Sequence, residues 1–311
     1  MKLSTTTGAF QQSADHTKLK PMIYMVQKCH EAGYNCIDIG FCKHFEKENY
    51  TLAQDNWEEL IDEIGNYAAK EGIEFYQSHT PFIQRCCKAW DDWFKEPGFD
   101  EYYEEMLRRS VLAAAKLGVK WQIIHPITCP EVNYERAASI ECNHRQFDKY
   151  VELGIKNGVG TCFENMLPFL ERNHTNKFCV HYEELIDLVD SFNDPMVQIC
   201  YDTGHGNQAN IQVGRAIRAC GKRLKTLHIN DNIFGIKDEH LMPFMGEVNW
   251  YDFVDALVDV DYQGSLNYEA HKMSSMAPSG EMQMMLAKLM YDNGEFLLGL
   301  YNEALTKKGK K

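Results

Sequence analysis

The stretch Met106-Leu107-Arg108-Arg109-Ser110-Val111-Leu112-Ala113-Ala114-Ala115-Lys116-Leu117-Gly118-Val119-Lys120-Trp121-Gln122-Ile123-Ile124-His125 carries the fold in miniature. Its first half sets Met106, Leu107, Val111, Leu112, Ala115 and Leu117 at helical spacing, an apolar stripe that a helix buries against a sheet. Gly118 closes that helix, because glycine enters the left-handed cap without a side-chain clash. Val119 to His125 then reads as a short strand that ends on a histidine. The same order of helix, glycine and strand recurs at Gly33 and Gly72.

Working outward, eight β-rich runs alternate with helical stretches: Leu3 to Thr7, Cys36 to Phe41, Ile73 to Ser78, Val119 to His125, Gly160 to Glu164, Val197 to Asp202, Leu224 to Ile229, and Ser265 to Glu269. Alternating βα units build a parallel sheet. Eight of them predict an α/β fold closed as a (β/α)₈ TIM barrel, since fewer would leave open edges to cover. No Pro/Gly/Ser-rich linker divides the chain, so a single domain over 1–311 is expected, with a long C-terminal helix over about 281–306 and a basic tail over 307–311. The longest connection, Thr80 to about Glu101, holds Trp90, Trp93, Phe94, Pro97 and Gly98 and is expected to loop over the barrel mouth.

Composition narrows the function. A net charge of −13 offers no long-range attraction to phosphate backbones or anionic membranes, so small neutral ligands and metal cations are the better partners. No apolar run reaches membrane-spanning length, and Met1 to Gly8 has no signal-peptide core, which together predict a cytoplasmic protein. Eleven cysteines, an odd number with no CxxC pair, are expected to stay reduced and to pack as small hydrophobes. The adjacent Cys86-Cys87 is the exception worth testing. The closing lysines read as a solvated tail.

In a barrel of this kind chemistry gathers at the C-terminal ends of the strands. Six consecutive strands end in metal-ligand types: His79, His125, Glu164, Asp202, His228 and Glu269. A single strand-end histidine is ordinarily a hydrogen-bonded core residue. Glu164 and Glu269 are harder to explain that way, because an inward carboxylate is costly unless a cation pairs with it. Neither strand has an adjacent Lys or Arg, and a divalent ion would supply the compensation.

Several local motifs accompany these ends: Phe163-Glu164-Asn165, Asp202-Thr203-Gly204-His205, His228-Ile229-Asn230-Asp231-Asn232, Asp238-Glu239-His240-Leu241, Gly246-Glu247-Val248-Asn249-Trp250, Tyr268-Glu269, and upstream Ser78-His79-Thr80-Pro81 and His125-Pro126. Their order resembles the xylose-isomerase-like barrel superfamily, which holds sugar and sugar phosphate isomerases and epimerases such as D-tagatose 3-epimerase, together with the AP endonuclease enzymes of the endonuclease IV type. For the epimerase branch the resemblance implies one metal held by Glu164, Asp202, His228 and Glu269, the two glutamates doubling as catalytic acid and base. Three carboxylates and one imidazole suit Mn²⁺, with Co²⁺, Mg²⁺ or Zn²⁺ as substitutes. His205 resembles a substrate-orienting histidine, and His79, His125, Asp238 and His240 complete the expected substrate contacts. The 3-epimerases carry an arginine six residues after the metal-binding histidine, where this chain has Phe234. Arg85, Lys237 and Lys272 are the nearby cations, and they make no evident phosphate pocket, so a non-phosphorylated sugar or cyclitol is expected.

Three other readings stay open. A lyase or dehydratase acting on a keto-inositol or keto-glycoside would use the same metal site and the same first proton abstraction. An endonuclease IV-like enzyme would use three zinc ions on His79, His125, Glu164, Asp202, His205, His228, Asp238, His240 and Glu269, but the acidic, aromatic Ala89-Trp90-Asp91-Asp92-Trp93 disfavours nucleic acid. A binding module that had lost its chemistry would be missing one of the four core positions, and all are intact. A homo-oligomer is the default expectation for such barrels. Phe10, Trp90, Trp93, Trp121 and Phe244 are candidate walls for a sugar pocket, against the plainer expectation of core packing.

Overall fold

In the computed structural model, residues 1–11, 19–42, 50–82, 98–129, 135–168, 177–234 and 238–310 are described. Among them eight parallel strands form one sheet: β1 (Leu3–Thr6), β2 (Cys36–Gly40), β3 (Glu74–His79), β4 (Trp121–Ile124), β5 (Gly160–Glu164), β6 (Val197–Asp202), β7 (Leu224–His228) and β8 (Leu266–Tyr268). Their spatial order is β7-β6-β5-β4-β3-β2-β1-β8. The ring closes between β7 and β8, where the Ile229 N–H donates to the Asn267 carbonyl at 2.8 Å and the Glu269 N–H donates to the Ile229 carbonyl at 2.9 Å. The predicted barrel is therefore the observed one, with strand ends displaced by no more than two residues.

The helices around it are α1 (Met22–Glu31), α2 (Trp57–Glu71), α3 (Phe99–Lys116), α4 (Arg136–Lys156), α5 (Tyr182–Ser191), α6 (Thr203–Gln208), α7 (Val213–Cys220), α8 (Trp250–Asp259), α9 (Lys272–Ser275) and α10 (Gly280–Lys307). Helix α3 buries Tyr103, Met106, Leu107, Ser110, Val111 and Ala114, a stripe at i, i+3, i+4, i+7, i+8 and i+11 that follows the helical period. Leu112, Ala115 and Leu117, read from sequence as part of that stripe, sit at its partly exposed edge. Gly33, Gly72 and Gly118 all take positive φ, at 114°, 72° and 69°. At Gly72 and Gly118 a Cβ would meet nothing within 4 Å, so backbone conformation and not crowding calls for glycine there.

Two features bear on the site. Inside the ring the packing is unusually polar: Asp38, Gln77, Thr226 and Asn267 are all buried. The terminal helix opens with Ser279 accepting from the Met282 N–H at 3.2 Å, and it braces β8 through a 3.0 Å bond from the Tyr268 hydroxyl to Asn293. The basic residues that follow are exposed yet tethered. Lys308 pairs with Asp259 at 2.6 Å and Lys310 donates to the Val258 carbonyl at the C-terminal end of α8, where cations are favoured. Among the described residues no helix is long and apolar enough to cross a membrane.

Candidate active site

Because all strands run the same way, their last residues share one rim, and the register brings neighbours together: Asp202 lies opposite His228 and Glu164 opposite Cys200. Glu164, Asp202 and His228 close β5, β6 and β7, while Glu269 follows β8 by one residue. One ligand atom from each of Glu164, Asp202, His228 and Glu269 can be chosen so that all four lie within 4.8 Å of one another. His228 Nδ1 stands 3.0 Å from Glu164 Oε1 and 3.3 Å from Glu269 Oε2.

The site's unsatisfied atoms fit a cation. Glu164 Oε2 and both ring nitrogens of His228 are buried without a hydrogen-bond partner among the described residues. Buried polar atoms are nearly always satisfied, so a cluster of orphaned ligand atoms of these types points to an ion. Asp202 is held ready for it: Oδ1 accepts the His205 N–H at 2.7 Å, capping α6, and Oδ2 accepts from Asn230 at 2.8 Å. Each oxygen keeps a further lone pair. Gly204 is required beside them, since a Cβ there would come within 1.8 Å of Asn230 Oδ1.

The expected substrate-binding residues converge on the same place. A cavity of about 370 Å³ is lined by His79, His125, Glu164, His205, Asp238, His240 and Glu269. His79 Nε2 and His125 Nε2 are 3.0 Å apart, with Glu164 Oε2 at 3.4 and 3.2 Å. The Thr80 carbonyl engages His79 Nδ1 at 2.9 Å, and the Asn165 carbonyl engages His205 Nδ1 at 2.7 Å. Both carbonyls can only accept, so in each ring the Nδ1 carries the proton and Nε2 is left for the cavity side. His240, held at φ 49°, donates to the Glu269 carbonyl and to Asp238, each at 2.7 Å.

The two glutamates titrate differently. Burial pushes Glu164 up, but His228 and His125 overcome it and hold its carboxyl well below the usual range. Burial raises Glu269 to about 7, with His228 and His240 opposing, and Glu164 and Asp202 adding to the rise. His240 is lifted to about 9, because the Asp238 carboxylate outweighs the desolvation of the imidazolium.

Of the described aromatic candidates, two follow the plainer expectation of core packing and one does not. Phe10 and Trp121 are core residues, and Phe244 is surface-exposed; none of them lines the cavity. Phe82 and Tyr50 do line it, and no spacing signal marked them. Phe82 packs its ring 4.3 Å from that of His125. Lys177 also lines the cavity, as does Lys272, which is spent on Asp238 at 3.3 Å. Phe234 is exposed outside the cavity. The nine described cysteines are all free. Arg85, Cys86, Cys87, Trp90, Trp93, Phe94, Pro97 and Lys237 lie outside the described residues, and with them most of the expected mouth loop.

Fold and site together define a (β/α)₈ barrel with a buried carboxylate–imidazole cluster at its C-terminal mouth. The chain belongs to the xylose isomerase-like TIM barrel family, whose model matches residues 26–289. It is 26% identical over 200 residues to an uncharacterised protein of Sinorhizobium fredii, covering 61% of this chain and 59% of that one. The match thus spans about three-fifths of that relative's length. It is also 26% identical over 215 residues to the D-psicose 3-epimerase of Ruminiclostridium cellulolyticum, covering 67% of each. Among solved structures, the IOLI protein with a binding zinc atom superposes with a TM-score of 0.69 at 15% identity, over 94% of this chain and 96% of that one. At that identity the likeness is one of fold.

Proposed function

We propose that this protein, one barrel domain over its whole length, is a metal-dependent isomerase or epimerase of a ketose or a related sugar or cyclitol. The observation that carries the reading is the pair Glu164 and Glu269, flanking one candidate cation site with environments that drive their protonation apart. The D-psicose 3-epimerase relative supports a ketose as the substrate class. A divalent cation held by Glu164, Asp202, His228 and Glu269 would polarise the substrate carbonyl and acidify the neighbouring C–H; the hard donor set favours Mn²⁺, with Co²⁺, Mg²⁺ or Zn²⁺ able to substitute.

The side chains then divide the proton work. One glutamate takes the proton from the α carbon and the other returns one from the opposite face, the order following substrate stereochemistry. His205 presents Nε2 to a substrate hydroxyl, and His79 and His125 receive another beside Glu164. His240, cationic at neutral pH, sits beside the Glu269 backbone and offsets negative charge there. Phe82 excludes water from the histidine pair.

Expelling a β-substituent after the same abstraction would make the enzyme a lyase or dehydratase, and the proton held on His240 supports that as a second reading. The endonuclease IV-like reading is weaker. His205, Asp238 and His240, which its ligand set would include, do not gather as a metal group among the described residues. Nine described cysteines outside any disulfide suit a reducing compartment, the cytoplasm. Incubating the manganese-loaded protein with a panel of ketoses and cyclitol ketones in D₂O tests the proposal. Deuterium uptake at one α carbon is expected, and none across the panel would reject it.

A further inference from the structure

Asp38 is a buried carboxylate that none of the steps above uses. It stands on β2, in register with Thr6 of β1 and Gln77 of β3, inside a ring whose interior positions are usually filled by branched apolar side chains. It is 1% exposed, and among the described residues its ion-pair partner is His228. Oδ2 lies 3.4 Å from His228 Nε2 and also accepts from Gln77 Nε2 at 3.1 Å and Asn267 Nδ2 at 3.0 Å. Oδ1 has no partner. Burying a carboxylate this way costs stability, so its retention calls for a reason.

His228 supplies one. Its Nδ1 faces Glu164 and Glu269, while its Nε2 faces Asp38. An imidazole can give only one nitrogen lone pair to a cation, and the other nitrogen must then carry the hydrogen. A carboxylate accepts and cannot donate, so the nitrogen facing Asp38 is the protonated one. The two amides come from β3 and β8, strands on either side of Asp38, and hold the carboxylate against ring rotation.

Resting on the metal site proposed above, we infer that Asp38 is a positioning residue that acts through His228: it holds the tautomer with hydrogen on Nε2 and aims the Nδ1 lone pair at the cation. At 3.4 Å the Asp38 oxygen faces Nε2 at slightly more than a typical hydrogen-bond distance. Asp38 touches neither the substrate nor, by this assignment, the ion.

The test is Mn²⁺ binding to chelator-stripped full-length protein, followed by isothermal titration. Asp38→Asn keeps shape and an acceptor oxygen but loses the charge, and its Mn²⁺ affinity is expected to fall by about 10- to 100-fold, the range for outer-shell partners of metal-bound histidines. Asp38→Glu is expected to recover part of that loss. A purely structural role predicts the reverse, a lowered thermal midpoint with Mn²⁺ affinity unchanged, and wild-type affinity in Asp38→Asn overturns the proposal. Because either variant could fail to fold, ¹⁵N-histidine NMR of the wild-type protein loaded with Zn²⁺ decides independently. His228 is expected to show a bare Nδ1 and a slowly exchanging Nε2 proton; hydrogen on Nδ1 overturns the proposal. If the ketose panel shows no exchange while these two readouts hold, the sugar reading fails and this one stands.

Discussion

Two sides of the same cavity treat chemically identical carboxylates in opposite ways. On the β5 side Glu164 meets four imidazoles, with His228 at 3.0, His125 at 3.2, His79 at 3.4 and His205 at 3.5 Å. On the β8 side, among the described residues, Glu269 has only His228 at 3.3 Å and His240 at 3.9 Å, and His240 is already bonded to Asp238. Desolvation acts on both, but only the first side has enough positive potential to defeat it. The lesson is that burial alone does not set the protonation of a carboxylate; the balance of charge among its neighbours decides it. The β5 side is built to stay anionic and the β8 side to exchange a proton near neutrality.

The sharpest way to break this contrast is Glu164→Gln. It removes the anion facing four imidazoles, so Mn²⁺ occupancy measured by metal analysis should vanish and α-proton exchange should fall by about 10⁴-fold. Urea unfolding should show a loss of about 3 kcal/mol, as for a buried ion pair broken from one side. Retained metal would mean that the other three ligands suffice. Glu269→Gln should separate chemistry from folding. An amide replaces a carboxyl that is about half neutral at pH 7, so the urea midpoint should fall much less than for Glu164→Gln while exchange falls by about 10³-fold. Exchange at the wild-type rate would remove Glu269 from the mechanism.

The smallest effect is in the pH dependence of metal binding. Glu269 is raised to about 7 in the metal-free protein, so below that pH a cation must displace its proton. Mn²⁺ affinity should therefore weaken by at least roughly tenfold per unit as pH falls below about 7. Titrations in buffers of different ionisation heat should count at least about one proton released per ion on the acid side. A flat profile would show that the two sides of the cavity do not differ in protonation.

Much of this architecture was legible because the relevant physics is local. The stripe in α3, the glycines that take positive φ and the period of strand and helix are properties of a few neighbouring residues, and they sufficed to predict eight strands. Parallel strands put every C-terminal residue on one rim, so the positions of Glu164, Asp202, His228 and Glu269 followed once the strands were placed. Asp38 escaped notice because it sits mid-strand, where a carboxylate next to isoleucines carries no positional signal. Phe82 and Tyr50 escaped for the converse reason: they are ordinary apolar residues whose importance lies in what they face. The trimming of α3's stripe, with Ala113 and Ala114 inside and Leu112 at the edge, was decided by the neighbouring helices and not by hydrophobicity.

What the amino-acid order determined by itself, then, was the closed barrel and the ring of ligand-type residues at its mouth, because periodicity and strand polarity act over a turn or two of chain. What only the tertiary structure decided was how charge is shared there: which histidines face Glu164, that Asp238 is spent on His240 and Lys272, and that Asp38 backs His228 across the barrel. Electrostatic energies depend on distances of 3 to 4 Å between groups far apart in sequence, and only the folded chain sets those distances.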